Sequence, residues 1–241
     1  MRQCYSCMQF VPGDRAQVCP HCGQPLEWSC DTTRFLSPGS LLQNKFVVGK
    51  VLGAGGFGNT YIGWNRILQC KVAIKEYFPK HLSDRIPSGG EVTVSGTVNQ
   101  QRFRTGLLQF LEEARSIATL QDVKGVVQVY NFFEENGTGY IIMEYLEGMD
   151  VKTILKHRGQ RMDYEWSRRV ILTVLHTLRE VHKRGILHRD IAPDNIFVTN
   201  EGVIKLIDFG AAKHATALAN MHTDIVLKAG YAPIEQYSKK T

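Results

Sequence analysis

The chain has 241 residues and a net charge of +6, and 43% of it is hydrophobic, which is enough for a small domain plus one substantial one. It contains no run of about 18 apolar residues, which excludes a transmembrane helix from this stretch. Its lysines and arginines are dispersed, so the positive balance suits an anionic small ligand and makes no case for a polynucleotide surface.

The first element is a pair of cysteine knuckles. Cys4-Tyr5-Ser6-Cys7 is followed, after eleven residues, by Cys19-Pro20-His21-Cys22-Gly23. Two Cys-x-x-Cys pairs at this distance suit one tetrahedral Zn(II) held by four thiolates, with Gly23 allowing the tight turn after the second pair. The competing reading is disulfides. Met1-Arg2-Gln3 leads straight into the motif without a signal peptide, so a reducing, cytoplasmic setting and structural zinc are expected. Four cysteines complete the shell, which leaves His21 facing solvent. Residues 1–28 bury too little core to fold alone, so the metal would supply the folding energy of this zinc ribbon. Arg2 and Arg15 are its cations, too few to argue for DNA, and the expected task is binding an unidentified partner.

Residues 29–44, with Pro38-Gly39-Ser40, read as a linker, and Cys30 and Cys70 as plain thiols. The next domain is expected over 45–241. It opens on a glycine-rich turn, Val51-Leu52-Gly53-Ala54-Gly55-Gly56-Phe57-Gly58, between strand-like residues. Gly53, Gly55 and Gly58 let the backbone approach phosphates where a β-carbon would obstruct the approach or forbid the dihedrals. A dinucleotide-binding fold uses the same string, but there a helix opens at the glycines, and here another strand follows, Val72-Ala73-Ile74-Lys75. A long connection comes next, with Ser88 to Asn99 polar and expected as a surface loop; Val92-Thr93-Val94 is its one strand-like stretch.

Leu107, Phe110, Leu111, Ala114, Ile117, Ala118 and Leu120 recur near a 3.6-residue period and predict a helix over Phe103 to Leu120. Glu112 and Glu113 are both on it. Tyr130 to Tyr145 predicts two strands joined at Asn136-Gly137. A long helix is expected over Asp163 to Lys183, with Val170, Ile171, Val174, Leu175, Leu178 and Val181 on its apolar stripe. Then come His188-Arg189-Asp190-Ile191-Ala192-Pro193-Asp194-Asn195 and Asp208-Phe209-Gly210, with a hairpin between them that turns at Asn200-Glu201-Gly202. That spacing suits phosphoryl transfer: Asp190 as a base for a hydroxyl, Asn195 and Asp208 as magnesium ligands at the hairpin's open ends.

In these linked motifs the chain resembles the eukaryotic-like (Hanks-type) bacterial serine/threonine protein kinases. The resemblance implies an α+β, bilobal fold: an antiparallel β-sheet lobe over about 45–146 and a mainly helical lobe from about 147. It implies ATP and Mg2+ as cofactors and a protein hydroxyl as acceptor. By the same match, Lys75 and Glu113 form the phosphate clamp and Glu112 is a surface charge. Leu52, Gly53, Gly55, Gly58, Thr60, Ala73, Met143, Glu144, Leu146 and Phe197 line the nucleotide, with Met143 as gatekeeper and Asp208 binding metal.

Two departures bear on mechanism. The lysine usual two residues after the catalytic aspartate is Ala192, and the threonine usual in the activation segment, aligned back from Glu235, is Lys228. Two readings of Lys228 stay open: it supplies the cation missing at 192, or it is a solvated loop lysine. Arg189 before Asp190 suggests control by phosphorylation, with Thr216 and Thr223 as candidate acceptors and an unmodified loop as the alternative. The resemblance implies further helices beyond Tyr237, so the expectation is a C-terminally truncated kinase. Alternatives that the sequence leaves open are a nucleotide-binding scaffold of pseudokinase type and a zinc-ribbon interaction module with an incomplete kinase region.

Overall fold

The computed structural model describes residues 2–13, 16–86, 90–159 and 161–209, together with 213–214, 228, 230–232 and 234. They fall into two compact units, Met1–Ala114 with Val129–Tyr145, and Arg115–Gln128 with Leu146–Thr241. Among the described residues no helix is long and apolar enough to cross a membrane.

The first unit is built on a six-stranded antiparallel sheet. A short strand, Leu41–Leu42, pairs with β1 (Phe46–Ala54); then follow β2 (Gly58–Asn65), β3 (Cys70–Tyr77), β5 (Thr138–Glu144) and, at the edge, β4 (Val129–Glu135). Asn136 and Gly137 close the β4–β5 hairpin with φ of 51° and 70°, the left-handed pair that a two-residue turn requires. Alternation sends Val72 and Ile74 of β3, and Tyr140 and Ile142 of β5, to one face, where they bury against Leu36, Leu42, Phe46, Val48 and Tyr61. Leu36 belongs to the segment expected as a linker. That segment lies on the sheet: its Leu36 N–H donates to the Tyr61 hydroxyl, and its Arg34 carbonyl accepts from Asn59.

The other face receives helix α1 (Thr97–Ala118). Tyr77 packs at a tilt against Phe103 and Phe110 with ring centroids 5.1 and 5.6 Å apart, and Gly106 sits where a β-carbon would come within 2.1 Å of the Tyr77 hydroxyl. A glycine in mid-helix costs about 1 kcal/mol of propensity, and here close packing requires it. The helix starts six residues before the expected Phe103, a correction to the boundary. Its first turns, from Thr97 to Arg102, are mostly exposed and polar, so no apolar period marks them.

The connection after β3 is also more than a surface loop. Val92–Thr93 pairs with Asp84–Arg85, and the Val92 N–H donates to the Asn136 carbonyl at the hairpin tip. Arg85 explains the anchoring. Its guanidinium, 1% exposed, meets the fully buried Glu76 carboxylate at 2.7 Å and lies 4.9 Å over the Phe78 ring. The same carboxylate accepts from Asn59 at 3.0 Å, Tyr61 at 2.8 Å and Tyr140 at 3.1 Å. Burial alone would lower the Arg85 pKa; the Glu76 charge more than reverses this and leaves it raised. Burial, reinforced by Glu76, raises both phenols.

In the second unit, helix α2 (Val151–His157) is capped by Asp150 and helix α3 (Tyr164–Lys183) by Asp163, whose carboxylate accepts from the Trp166 N–H. Val170, Val174, Thr177 and Val181 are the buried stripe of α3; Ile171 and Leu175, expected on it, are exposed among the described residues. Strand β6 (Gly148–Asp150) pairs with β7 (Ile196–Thr199), which pairs with β8 (Ile204–Leu206).

Removing one partner of a buried ion pair strands the other charge, so Arg85→Leu is expected to lower the unfolding free energy by about 3–5 kcal/mol in urea denaturation. The double variant Arg85→Leu/Glu76→Gln recovers part of that loss. A double variant as unstable as the single one would contradict the ion-pair account.

Candidate functional site

The glycine turn joins β1 to β2. Gly55 N–H donates to the Gly58 carbonyl at 2.9 Å, and the segment after β3 ties the turn down, with Phe78 N–H to Phe57 and Lys80 N–H to Gly56. The glycines have different reasons. A β-carbon on Gly58 would come within 2.2 Å of the Glu76 carbonyl, whereas Gly53 and Gly56 face open space. None of Gly53, Gly55, Gly56 and Gly58 has a positive φ, so here the requirement is room for backbone and ligand rather than a forbidden dihedral.

Strand β3 lies between β2 and β5, with Lys75 opposite Thr60 on one side and Ile141 on the other. Its ammonium reaches Glu113 of α1 at 3.1 Å, with side chains 21% and 8% exposed, and lies 5.8 Å over the Phe110 ring. The step of about 100° between Glu112 and Glu113 decides which carboxylate faces Lys75, and Glu112 is exposed. On the same sheet Met143 pairs with the buried Ala73, and Glu144 with Val72; Leu52 is exposed at the end of β1.

In the second unit the loop from His188 to Asn195 ends in a 3-10 turn, Pro193–Asn195, from which β7 starts. Asn195 turns its side-chain amide onto Asp190, donating to the backbone carbonyl at 2.8 Å and to the carboxylate at 2.7 Å. The β7–β8 register and an Ile207 N–H to Asn195 carbonyl bond of 3.0 Å bring Asn195 and the following Asp208 to one end of the hairpin. Arg189 and Asp208 have φ of 65° and 58°, uncommon for residues other than glycine and found at sites where the surroundings over-determine the backbone. Phe209 is fully buried against the His188 ring, 4.3 Å between centroids, and burial lowers the His188 pKa. Leu146 and Phe197 are half-buried, Phe197 paired with Asp150 and Lys205.

Ala192 is 2% exposed and carries no charge. Lys228 stands beside this loop instead: its ammonium is 3.6 Å from the Asp190 carboxylate and in close contact with that of Asp194. Asp194 also meets Lys152 at 3.4 Å. Burial works against the charge on Asp194, and Lys228 outweighs it, holding the carboxyl below its usual range; burial works likewise against Lys228, and the two carboxylates leave its pKa raised. Gly210, Thr216, Thr223 and Glu235 lie outside the described residues.

At the amino terminus four thiols converge. Cys4 and Cys22 sulfurs are 3.7 Å apart, Cys7 and Cys19 3.8 Å, and all four lie within 4.8 Å of one another. A tetrahedral ion with about 2.3 Å metal–sulfur bonds spans sulfurs about 3.8 Å apart, so the cradle has the size of such a site. The two knuckles repeat one turn: Met8 N–H donates to Cys4, and Gly23 N–H to Cys19. Residues 8 and 23 are both left-handed, φ 61° and 69°. His21 is exposed.

A family model described as the protein kinase domain matches residues 46–240. The chain belongs to the protein kinase family. This kinase chain is 32% identical over 203 residues to a probable serine/threonine-protein kinase of Clostridium perfringens, and 30% identical over 189 residues to the serine/threonine-protein kinase PrkC of Bacillus subtilis. Those alignments take in 84% and 78% of this chain but 27% and 26% of the relatives, so the chain spans about a quarter of their length. The solved structure of the PpkA-294 apo form is similar at a TM-score of 0.75 and 35% identity, covering 86% of this chain and 72% of that one. The α+β architecture is the protein kinase fold.

Sequence reasoning singled out Lys228 but missed Asp194 as its partner, and it missed Arg85 altogether. Asp194 stood inside the motif and was open to notice; nothing local marks Arg85. The glycine geometry separates two near-identical substitutions. Gly58→Ala is expected to cost about 1–3 kcal/mol of stability, because backbone must move, while Gly53→Ala stays within about 0.5 kcal/mol. Thermal unfolding of the two variants side by side checks this, and equal midpoints would refute it.

Proposed function

We propose that this chain is the catalytic part of an ATP- and Mg2+-dependent serine/threonine protein kinase, with a structural zinc ribbon over residues 1–28, a tethering segment over 29–44 and the kinase domain from 45. The single observation that carries this reading is the Asn195 amide locked onto Asp190. That bond holds the Asp190 carboxylate in place as the base for a protein hydroxyl, and it commits the amide nitrogen, so the carbonyl oxygen of Asn195 is the atom offered to a cation. With the Asp208 carboxylate this makes an all-oxygen donor set, which suits magnesium. Bound Mg-ATP supplies the phosphoryl group and the charge neutralisation that its transfer needs. Lys75, held by Glu113, is the cation for the nucleotide's phosphates; Gly53, Gly55 and Gly58 leave room for them. Ala73, Met143, Glu144, Leu146 and Phe197 are the nucleotide-lining positions, with Leu52 and Thr60 on the glycine turn. Cytoplasmic residence follows from the same reading, because thiolates must stay reduced to hold zinc.

Lys228 does the work of the lysine absent at Ala192. A point charge beside the aspartate serves whatever its origin in the chain, and the ammonium already stands 3.6 Å from Asp190. Its charge persists through neutrality. The raised Lys228 pKa keeps its contribution present below the ordinary lysine range and lost only as pH climbs through the raised value. The lowered Asp194 pKa keeps its own contribution present above the ordinary carboxylate range and lost as pH falls through the lowered value. The uncharged Ala192 also favours a second reading, a nucleotide-binding scaffold that does not transfer phosphate.

Phosphoryl transfer by the full-length protein decides between them. Lys228→Met is expected to lower kcat by about 10²-fold with nucleotide affinity little changed, and Ala192→Lys on that background to restore most of it. Mg-ATP binding without transfer in the unaltered protein would establish the scaffold. Transfer undiminished in Lys228→Met would remove the lysine from the mechanism.

A further inference from the structure

We infer that the ribbon's partner is the kinase sheet of its own chain, and that its first knuckle is a metal-dependent clamp on β1, the strand that leads into the glycine turn. This rests on the metal reading above.

The sheet has a defect at the contact. Along β1 and β2, Val48 pairs with Gly63 and Val51 with Tyr61, so Gly49 and Lys50 together stand opposite Ile62 alone. Such a bulge takes an extra residue out of the ladder and leaves its backbone groups seeking other partners. The Lys50 N–H donates to the carbonyl of Tyr5 at 2.8 Å, inside the Cys4-to-Cys7 knuckle. Gly49 beside it is shaped for the same knuckle: a β-carbon there would come within 2.1 Å of the Met8 methyl and 2.5 Å of the Tyr5 carbonyl.

Met8 is the second, independent sign. It occupies the position that Gly23 occupies in the other knuckle, at nearly the same left-handed φ, a conformation that penalises a side chain. Yet Met8 is fully buried. The strained residue is retained where its side chain fills the space over Gly49, and glycine serves in the knuckle that has no such contact to make. Two aromatic side chains of the ribbon extend the interface: the Tyr5 ring lies over Gly39, whose β-carbon would come within 2.7 Å of the phenol oxygen, and Phe10 packs edge-on to Trp64 with centroids 5.8 Å apart.

Tyr5 lies between ligands Cys4 and Cys7, and the Met8 N–H closes the turn on Cys4. The atoms that dock are therefore held by the turn that the metal closes. Coupling is reciprocal: loading the metal orders the bulge, and docking on the bulge tightens the metal.

The test uses the whole chain, with Co(II) and Zn(II) as probes and hydrogen exchange at the Lys50 amide as readout. Stripping the metal is expected to speed Lys50 exchange by about tenfold or more, with Ile142 in the central strand unchanged. Met8→Gly relieves the backbone and leaves the cysteines untouched; it is expected to keep the cobalt–thiolate spectrum, expose Lys50 with the metal still bound, and weaken zinc in a chelator competition by about tenfold. A cobalt–thiolate spectrum with Lys50 equally protected in the loaded, stripped and Met8→Gly proteins would overturn the coupling alone. No such spectrum at all would overturn the metal reading and the coupling with it.

Discussion

A carboxylate with no access to water stands at the centre of the first unit. An unpaired charge in that position would cost several kcal/mol, so every surrounding element has to bring a donor to Glu76. Asn59 and Tyr61 come from β2, Tyr140 from β5, and Arg85 from the connection after β3. The Arg85 guanidinium also reaches the Arg34 carbonyl, so the segment over 29–44 joins the same network. The arrangement gives the long connection a physical account: it returns a cation to the strand it has just left.

The neighbour of that carboxylate in sequence is Lys75. Because side chains alternate along a strand, the two residues face opposite sides of the sheet. One side is closed around Glu76; the other carries Lys75 to Glu113 of α1. A register slip by one residue would exchange the two faces and place the lysine in the closed network, so the buried cluster also fixes the register of the strand that carries Lys75. The loop from His188 to Asn195 shows a different arrangement. Ala192 carries no charge, and the ammonium beside Asp190 is that of Lys228, distant in sequence and adjacent in space, which Asp194 also contacts. What the chemistry constrains is where a charge stands.

Much of the site was legible residue by residue. Lys75, Glu113, Asp190, Asn195 and Asp208 belong to motifs whose spacing is set by one strand, one helical turn or one hairpin, and local geometry carries such patterns through any fold. The hairpin at Asn136-Gly137 was legible for the same reason. The start of α1 was not, since exposed polar turns leave no apolar period, and the exposed Ile171 and Leu175 show that an apolar stripe need not match the buried one.

The sequence by itself determined the residue types of the chemistry and the four-thiol cradle, because each is written within a short stretch whose local conformation brings the groups together. Only the tertiary structure decided the pairings of Arg85 with Glu76, Lys228 with Asp190 and Asp194, and Met8 with Gly49. Each joins residues from separate elements, and what brings them together is strand register, a bulge or the path of a loop. Those arise from the packing of the whole chain, and no local spacing records them.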